Sequence, residues 1–168
     1  VTDDSETRGE RWLTWDQQVD WVALIALVMT LPVSLDAQLK KDEGINLFEY
    51  HILVQLSVAP ERMLVMSDLA TQTRGSLSRL SHAVSRLEAA GWVQRRACGG
   101  AGRRTEAHLT DAGWEKLRQA APAHVREARH LVVDALTAEQ LEQLGTMARA
   151  IVARTDPVAA EALPRKAH

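Results

Sequence analysis

Ser76-Leu77-Ser78-Arg79-Leu80-Ser81-His82-Ala83-Val84-Ser85-Arg86-Leu87-Glu88-Ala89-Ala90-Gly91, followed by Trp92-Val93-Gln94-Arg95-Arg96-Ala97, is where the pattern of the chain changes. Leu80, Ala83, Val84 and Leu87 recur at helical spacing, so one face packs inward. Ser76 is an N-cap residue and Gly91 a C-terminal stop. On the other face stand Ser78, Arg79, Ser81, His82, Ser85 and Arg86, small polar or forked donor groups with no large apolar residue among them. Such groups fit a major groove, where they reach base edges or phosphates. From Trp92 the helical period gives way to a strand, Gly99-Gly100-Ala101-Gly102 supplies a hairpin tip, and Arg103 to Leu109 suits a return strand.

Upstream of this helix, Ser67 caps a short helix through Ala70, and Thr71 to Gly75 is a polar turn. The order is helix, turn, longer helix, arginine-rich hairpin, which is the grammar of a winged helix-turn-helix. Arg95, Arg96, Arg103 and Arg104 lie on the hairpin, with Ser67 and Arg74 on the scaffold before the longer helix. Together they form a candidate phosphate-gripping surface. Charge distribution supports this placement. Between Arg74 and Arg104 there are seven arginines and one acid, Glu88, whereas residues 1–45 carry nine acids and four basic residues. The net charge of −2 excludes a general nucleic-acid coat protein, but a concentrated basic stretch in an acidic chain attracts phosphate locally.

The flanks read as helices. Ala and Leu dominate and aromatics are 4%, a composition that favours helix. Trp15, Val19, Val22 and Ala26 mark a buried helix from Arg11 to about Leu31. Pro32 is expected to kink or interrupt it before a second piece runs to Lys41. The apolar run Trp21 to Leu35 is too short to cross a bilayer and has no basic segment before it. Asn46 with Glu49 forms a capping box, as does Thr137 with Gln140. Thr110 caps a helix to about Leu136, a last helix runs to about Arg154, and Pro157 and Pro164 mark a loose tail. Leu117, Ala121, Val125, Leu131, Val132, Leu136, Leu141, Leu144, Met147 and Ile151 carry more apolar surface than a small winged domain needs for itself, which points to a dimer.

Four motifs in order carry a family resemblance: Leu47-Phe48-Glu49-Tyr50-His51-Ile52-Leu53, then Met66-Ser67-Asp68-Leu69-Ala70, then Leu80 to Val93, then Leu109-Thr110-Asp111-Ala112-Gly113. Over about Asn46 to Gly113 the chain resembles the MarR family of bacterial regulators. The resemblance implies a triangular homodimer in the cytoplasm that binds double-stranded DNA on a pseudo-palindromic operator as a transcriptional repressor. It also implies a small phenolic, anionic or antibiotic-like effector in a crevice that Trp12, Trp15, Trp21, Tyr50 and His51 line. The family's wing carries Asp-x-Arg. Here the tip is Ala101-Gly102-Arg103, with the Arg kept and the Asp replaced, so that Arg104 shares the role. The expected organisation is mainly α with a small β wing: a tail over 1–10, dimerisation helices over 11–45, the winged domain over 46–110, dimerisation helices over 111–155 and a tail over 156–168.

Other chemistry finds little support. The chain has no nucleophile–base pattern or phosphate loop, so no enzyme is expected. Its six histidines form no metal-binding motif, so no metal or cofactor is expected. Cys98 is the single cysteine, which fits a reducing compartment and reads as a passive thiol beside the wing. The competing reading is a helical adaptor that uses a winged fold to bind protein. It would be expected to show apolar residues where this chain shows arginines.

Overall fold

The computed structural model describes residues 12–97 and 104–164. They fall into two units, one ending at Ser34 and the other beginning at Leu35. The elements in chain order are α1 (Trp15–Glu43), α2 (Leu47–Val58), a 3-10 turn (Pro60–Arg62), β1 (Met63–Val65), α3 (Met66–Gln72), α4 (Leu77–Ala89), β2 (Val93–Ala97), β3 (Thr105–Leu109), α5 (Asp111–Ala128), a π turn (Arg129–Val133), α6 (Ala138–Thr155) and α7 (Pro157–Ala162).

α1 departs from expectation twice. Pro32 lies inside it without ending it, since a proline removes one backbone donor while the neighbouring hydrogen bonds remain. The helix is also not buried: Trp15 is 76% and Met29 68% exposed, with Val19, Trp21, Val22, Val28 and Val33 exposed beside them. At 29 residues it is long and apolar enough, by length and composition, to cross a membrane, so the expectation of too short a run does not hold.

The second unit has a continuous core. Leu39 and Ile45 meet Ile52, Leu53 and Leu56 of α2, Leu69 of α3, Leu80, Val84 and Leu87 of α4, and Val93, Ala107 and Leu109 of the sheet. Each fully buried leucine contributes about 1.5–3 kcal/mol of transfer free energy. Local chemistry sets the boundaries. The capping box at α2 forms as expected: Asn46 Oδ1 accepts from Glu49 N–H at 2.9 Å, and Glu49 Oε2 accepts from Asn46 N–H at 2.9 Å. Its counterpart at Thr137 and Gln140 opens α6. Ser67 does not cap α3. The cap is Val65, with no side-chain bond, and Ser67 Oγ donates to Asp68 Oδ1 instead.

The hairpin is part of a three-stranded antiparallel sheet ordered β1-β3-β2. The third strand is only Met63-Leu64-Val65, set by Leu64 opposite Ala107. It follows a turn in which Glu61 and Arg62 both take positive φ, 53° and 55°. α4 ends on Gly91 at φ 77°, where Trp92 N–H reaches Leu87 O and Gly91 N–H reaches Glu88 O, both at 2.9 Å. This double closure needs a left-handed residue, and glycine adopts that conformation without steric cost. Two further expectations change at the C-terminal end. The helix after Thr110 breaks at the π turn before Leu136. Pro157, read as part of a loose tail, is the first residue of α7, a position where its missing N–H costs nothing.

Candidate nucleic-acid interface

α4 and the β2–β3 edge form one surface. A concave site of about 390 Å³ is lined by Met66 and Ser67 at the start of α3, Leu77 and Ser81 of α4, Arg95 of β2, and Arg104 and Thr105 at β3. Four residues singled out from the sequence, Ser67, Ser81, Arg95 and Arg104, therefore share one wall. Ser78, Arg79, His82 and Ser85 are exposed on α4 and Ser81 is half-buried, while Leu80, Ala83, Val84 and Leu87 are buried. Arg96 and Arg104 are exposed. Arg96 is held by Gln94 Oε1 at 3.0 Å, and neither Arg96 nor Arg104 meets a carboxylate among the described residues. Arg103, like Cys98 and the Ala101 position, lies outside the described residues.

Several of the expected DNA-facing groups have structural work. Arg86 Nε donates to Glu49 Oε1 at 2.6 Å. Glu49 is 6% exposed, so Arg86 neutralises a buried carboxylate that also closes the α2 cap. Its side chain stays 59% exposed, so the guanidinium holds Glu49 while standing at the surface of α4. Arg95 holds Glu88 twice, with N–H to Oε1 at 3.0 Å and Nε to Oε2 at 2.9 Å, and gives Nη2 to Ser85 Oγ at 2.9 Å. These bonds pull the Glu88 carboxyl below its ordinary pKa, the backbone N–H of Arg95 contributing most. They also fasten α4 to β2. The Arg79 guanidinium carbon lies 4.1 Å from the Phe48 ring centroid, a cation–π contact that leaves its N–H donors at the exposed face of α4. Ser76 is spent on the α4 cap, accepting from Arg79 N–H at 3.2 Å.

Arg74 has positive φ, 53°, and its Nη1 meets Asp156 Oδ2 at 2.6 Å. The residues expected to line a ligand crevice belong to both units. Trp12, Trp15 and Trp21 are exposed in the first unit, at 84%, 76% and 51%. In the second, Tyr50 is buried and its ring lies 4.4 Å from that of His124, whose Nδ1 is 3.3 Å from Gln38 Oε1. Burial raises the Tyr50 pKa and lowers that of His124, with His51 adding a smaller push on His124. His51 lines a cavity of about 670 Å³ with Val54, Thr73, Arg74, Asp156 and Val158.

Sequence reasoning missed Glu49, Glu88, Asp156 and His124 as partners. Glu88 had a signal, being the one acid in a stretch of seven arginines. Asp156-Pro157 had another, the cap-then-proline start of a helix.

The model of the MarR family matches residues 43–104, which run from the end of α1 to the wing. Among solved structures the chain is similar to Sco3205, a MarR family transcriptional regulator from Streptomyces coelicolor solved in complex with DNA, at 42% identity and a TM-score of 0.83, over 88% of this chain and 93% of that one. It is similar to AbsC, a MarR family transcriptional regulator of the same organism, at 36% identity and a TM-score of 0.80, over 86% and 97% of the two chains. The transcriptional repressor MprA of Escherichia coli is 27% identical over 116 residues, 69% of this chain; the match spans 65% of the length of that repressor. The mostly helical fold with its small antiparallel sheet matches these relatives, and the chain belongs to the MarR family of transcriptional regulators, a family of regulators rather than enzymes.

Proposed function

We propose that this chain is a sequence-specific, double-stranded DNA-binding regulator of the cytoplasm, working as a homodimeric repressor on a pseudo-palindromic operator. The observation that carries the reading is the concave surface that Ser67, Ser81, Arg95 and Arg104 share, on which Arg104 is exposed and meets no carboxylate among the described residues. Ser78, Arg79, Ser81 and His82 are the groups offered to bases. Ser67, Arg74, Arg96, Arg103 and Arg104 grip phosphate. In this reading residues 46–110 are the DNA-binding unit, and residues 11–45 and 111–155 serve dimerisation. Sco3205, solved on DNA, and MprA, named a repressor, support the assignment.

The exposed apolar residues of α1, and separately Val125, Met147 and Ile151 of α5 and α6, support the homodimer: a second copy would take such residues from water. Two copies would present two α4 helices to half-sites about one helical turn apart. A small phenolic, anionic or antibiotic-like effector would bias the spacing of those helices. The cavity beside His51 supports such an effector, having the size of a small-molecule site.

The test is fluorescence anisotropy on duplex DNA from the chain's own upstream region, across salt concentrations, with sedimentation to give the oligomeric state. Tight binding to that duplex over a scrambled one is expected. Arg104→Ala is expected to weaken binding on all sequences and reduce the salt slope by about 0.9 per protomer. No preference over the scrambled duplex, or an unchanged slope in Arg104→Ala, would refute the reading.

A further inference from the structure

The turn between α3 and α4 holds Arg74 at a position where glycine would be easier. A left-handed conformation costs a residue with a Cβ about 1–2 kcal/mol, yet Arg74 occupies it at φ 53°, its N–H donating to Thr71 O at 3.2 Å. The conformation aims a long cationic side chain out of the turn just ahead of the Ser76 cap. Eighty-two residues later, Asp156 meets it. Asp156 uses its two oxygens separately: Oδ1 accepts from Ala159 N–H at 3.0 Å and starts α7, while Oδ2 lies 2.6 Å from Arg74 Nη1. Both side chains remain about half exposed, at 51% and 44%. The pair is therefore accessible to a competing anion and weakly held, as exposed ion pairs are.

We propose that Asp156 is an internal substitute for DNA phosphate at Arg74, an autoinhibitory contact that duplex DNA must displace. The inference rests on the DNA-binding reading above and adds its regulation. A carboxylate and a phosphodiester present the same anionic oxygen to a guanidinium, so Arg74 cannot fully serve both. Displacement frees Oδ2 but leaves Oδ1 on the α7 cap, so the helix persists while its tie to the α3–α4 turn is lost. By reciprocity, whatever tightens the tie weakens DNA binding by the same factor. Because the pair also lines the cavity beside His51 and Val158, a molecule seated there touches the tie directly.

Asp156→Asn isolates the contact, because asparagine caps a helix as well as aspartate but carries no charge. Full-length wild type, Asp156→Asn, Arg74→Gln and the double variant are titrated by anisotropy against a labelled duplex of about 30 base pairs, three helical turns, from about 50 to about 200 mM salt. Asp156→Asn is expected to bind about three- to tenfold tighter with a salt slope steeper by about one counterion per protomer. Arg74→Gln is expected to bind more weakly, and in that background Asp156→Asn should change Kd by less than about twofold. An unchanged Kd and slope in Asp156→Asn overturns the proposal. So does a gain that persists without Arg74, which would be a general charge effect. If the wild type shows no salt-dependent binding to the duplex, the DNA-binding reading itself falls, and this inference with it.

Discussion

Removing Arg86 should harm the fold more than it harms DNA binding. Arg86 sits on α4, the helix offered to DNA, but its Nε lies 2.6 Å from Oε1 of Glu49. Glu49 is 6% exposed and its other oxygen is already used by Asn46 N–H. Arg86→Ala leaves a buried carboxylate without the one charged partner it has among the described residues. A hydrogen bond to a charged group contributes about 1.5–3 kcal/mol. Arg86 itself is 59% exposed on its side chain, so water takes up part of the loss, and about 1–2 kcal/mol is expected. For a chain of this length that lowers Tm by about 2–8 °C. Circular dichroism melts at one fixed protein concentration measure the shift. Anisotropy well below Tm measures Kd, expected to change by less than about threefold, against a larger loss for Arg104→Ala. Glu49→Gln should lower Tm similarly while leaving every α4 side chain in place. A variant Arg86→Ala with unchanged Tm and at least tenfold weaker DNA binding would show that Arg86 reads DNA, and that the bond to Glu49 is incidental.

Other perturbations follow from packing and titration. Gly113→Ala would drive a methyl into the Trp92 carbonyl and to 2.7 Å from Leu109 Cδ1; since backbone cannot yield as a side-chain tip does, a loss of about 1–3 kcal/mol is expected in urea midpoints, and a wild-type midpoint would contradict the geometry. Leu39→Ala, at a wholly buried position, should cost about 2–5 kcal/mol on the same measure, whereas a loss below about 1 kcal/mol would mean the site collapses around the gap. His124 is half-buried with its pKa held below the ordinary value, by burial first and by His51 second. The unfolded chain thus accepts a proton that the native state resists. Stability is full above about pH 6.5 and is lost as pH falls below it towards the depressed native value. Tm should fall between about pH 7.5 and pH 5.5, and less so in His124→Gln; equal falls in both proteins would assign the sensitivity elsewhere. Burial lowers the His51 pKa as well, so part of the fall is expected to persist in His124→Gln.

What could be read in advance was what depends on near neighbours. The capping boxes at Asn46 and Thr137, the Ser76 cap and the Gly91 stop each join residues three to five apart, and each is present. The buried face of α4 was legible for the same reason, since Leu80, Ala83, Val84 and Leu87 recur at the helical period. The partners of the arginines were not. Arg86 and Glu49 are 37 residues apart, and Arg74 and Asp156 are 82 apart. A row of arginines in sequence says that positive charge is concentrated, not which guanidinium is already taken. The strand Met63–Val65 escaped because three apolar residues carry no measurable period. α1 misled in another way: an apolar stripe records that a face is to be covered, and within this chain most of that face remains exposed.

The foot of the hairpin has a consequence for how this protein can change. Thr110 closes it, giving its N–H to Trp92 O at 3.0 Å and its hydroxyl to Gly91 O at 2.7 Å, while its Oγ1 accepts from Gly113 N–H at 3.0 Å. The end of α4 and the beginning of α5 are thereby riveted to each other at the foot of β2 and β3. Changes of sequence or length between Ala97 and Arg104 should leave the ends of α4 and α5 where they are. The reach and charge of the wing can therefore be tuned from one descendant to the next while the helix beside it keeps its aim.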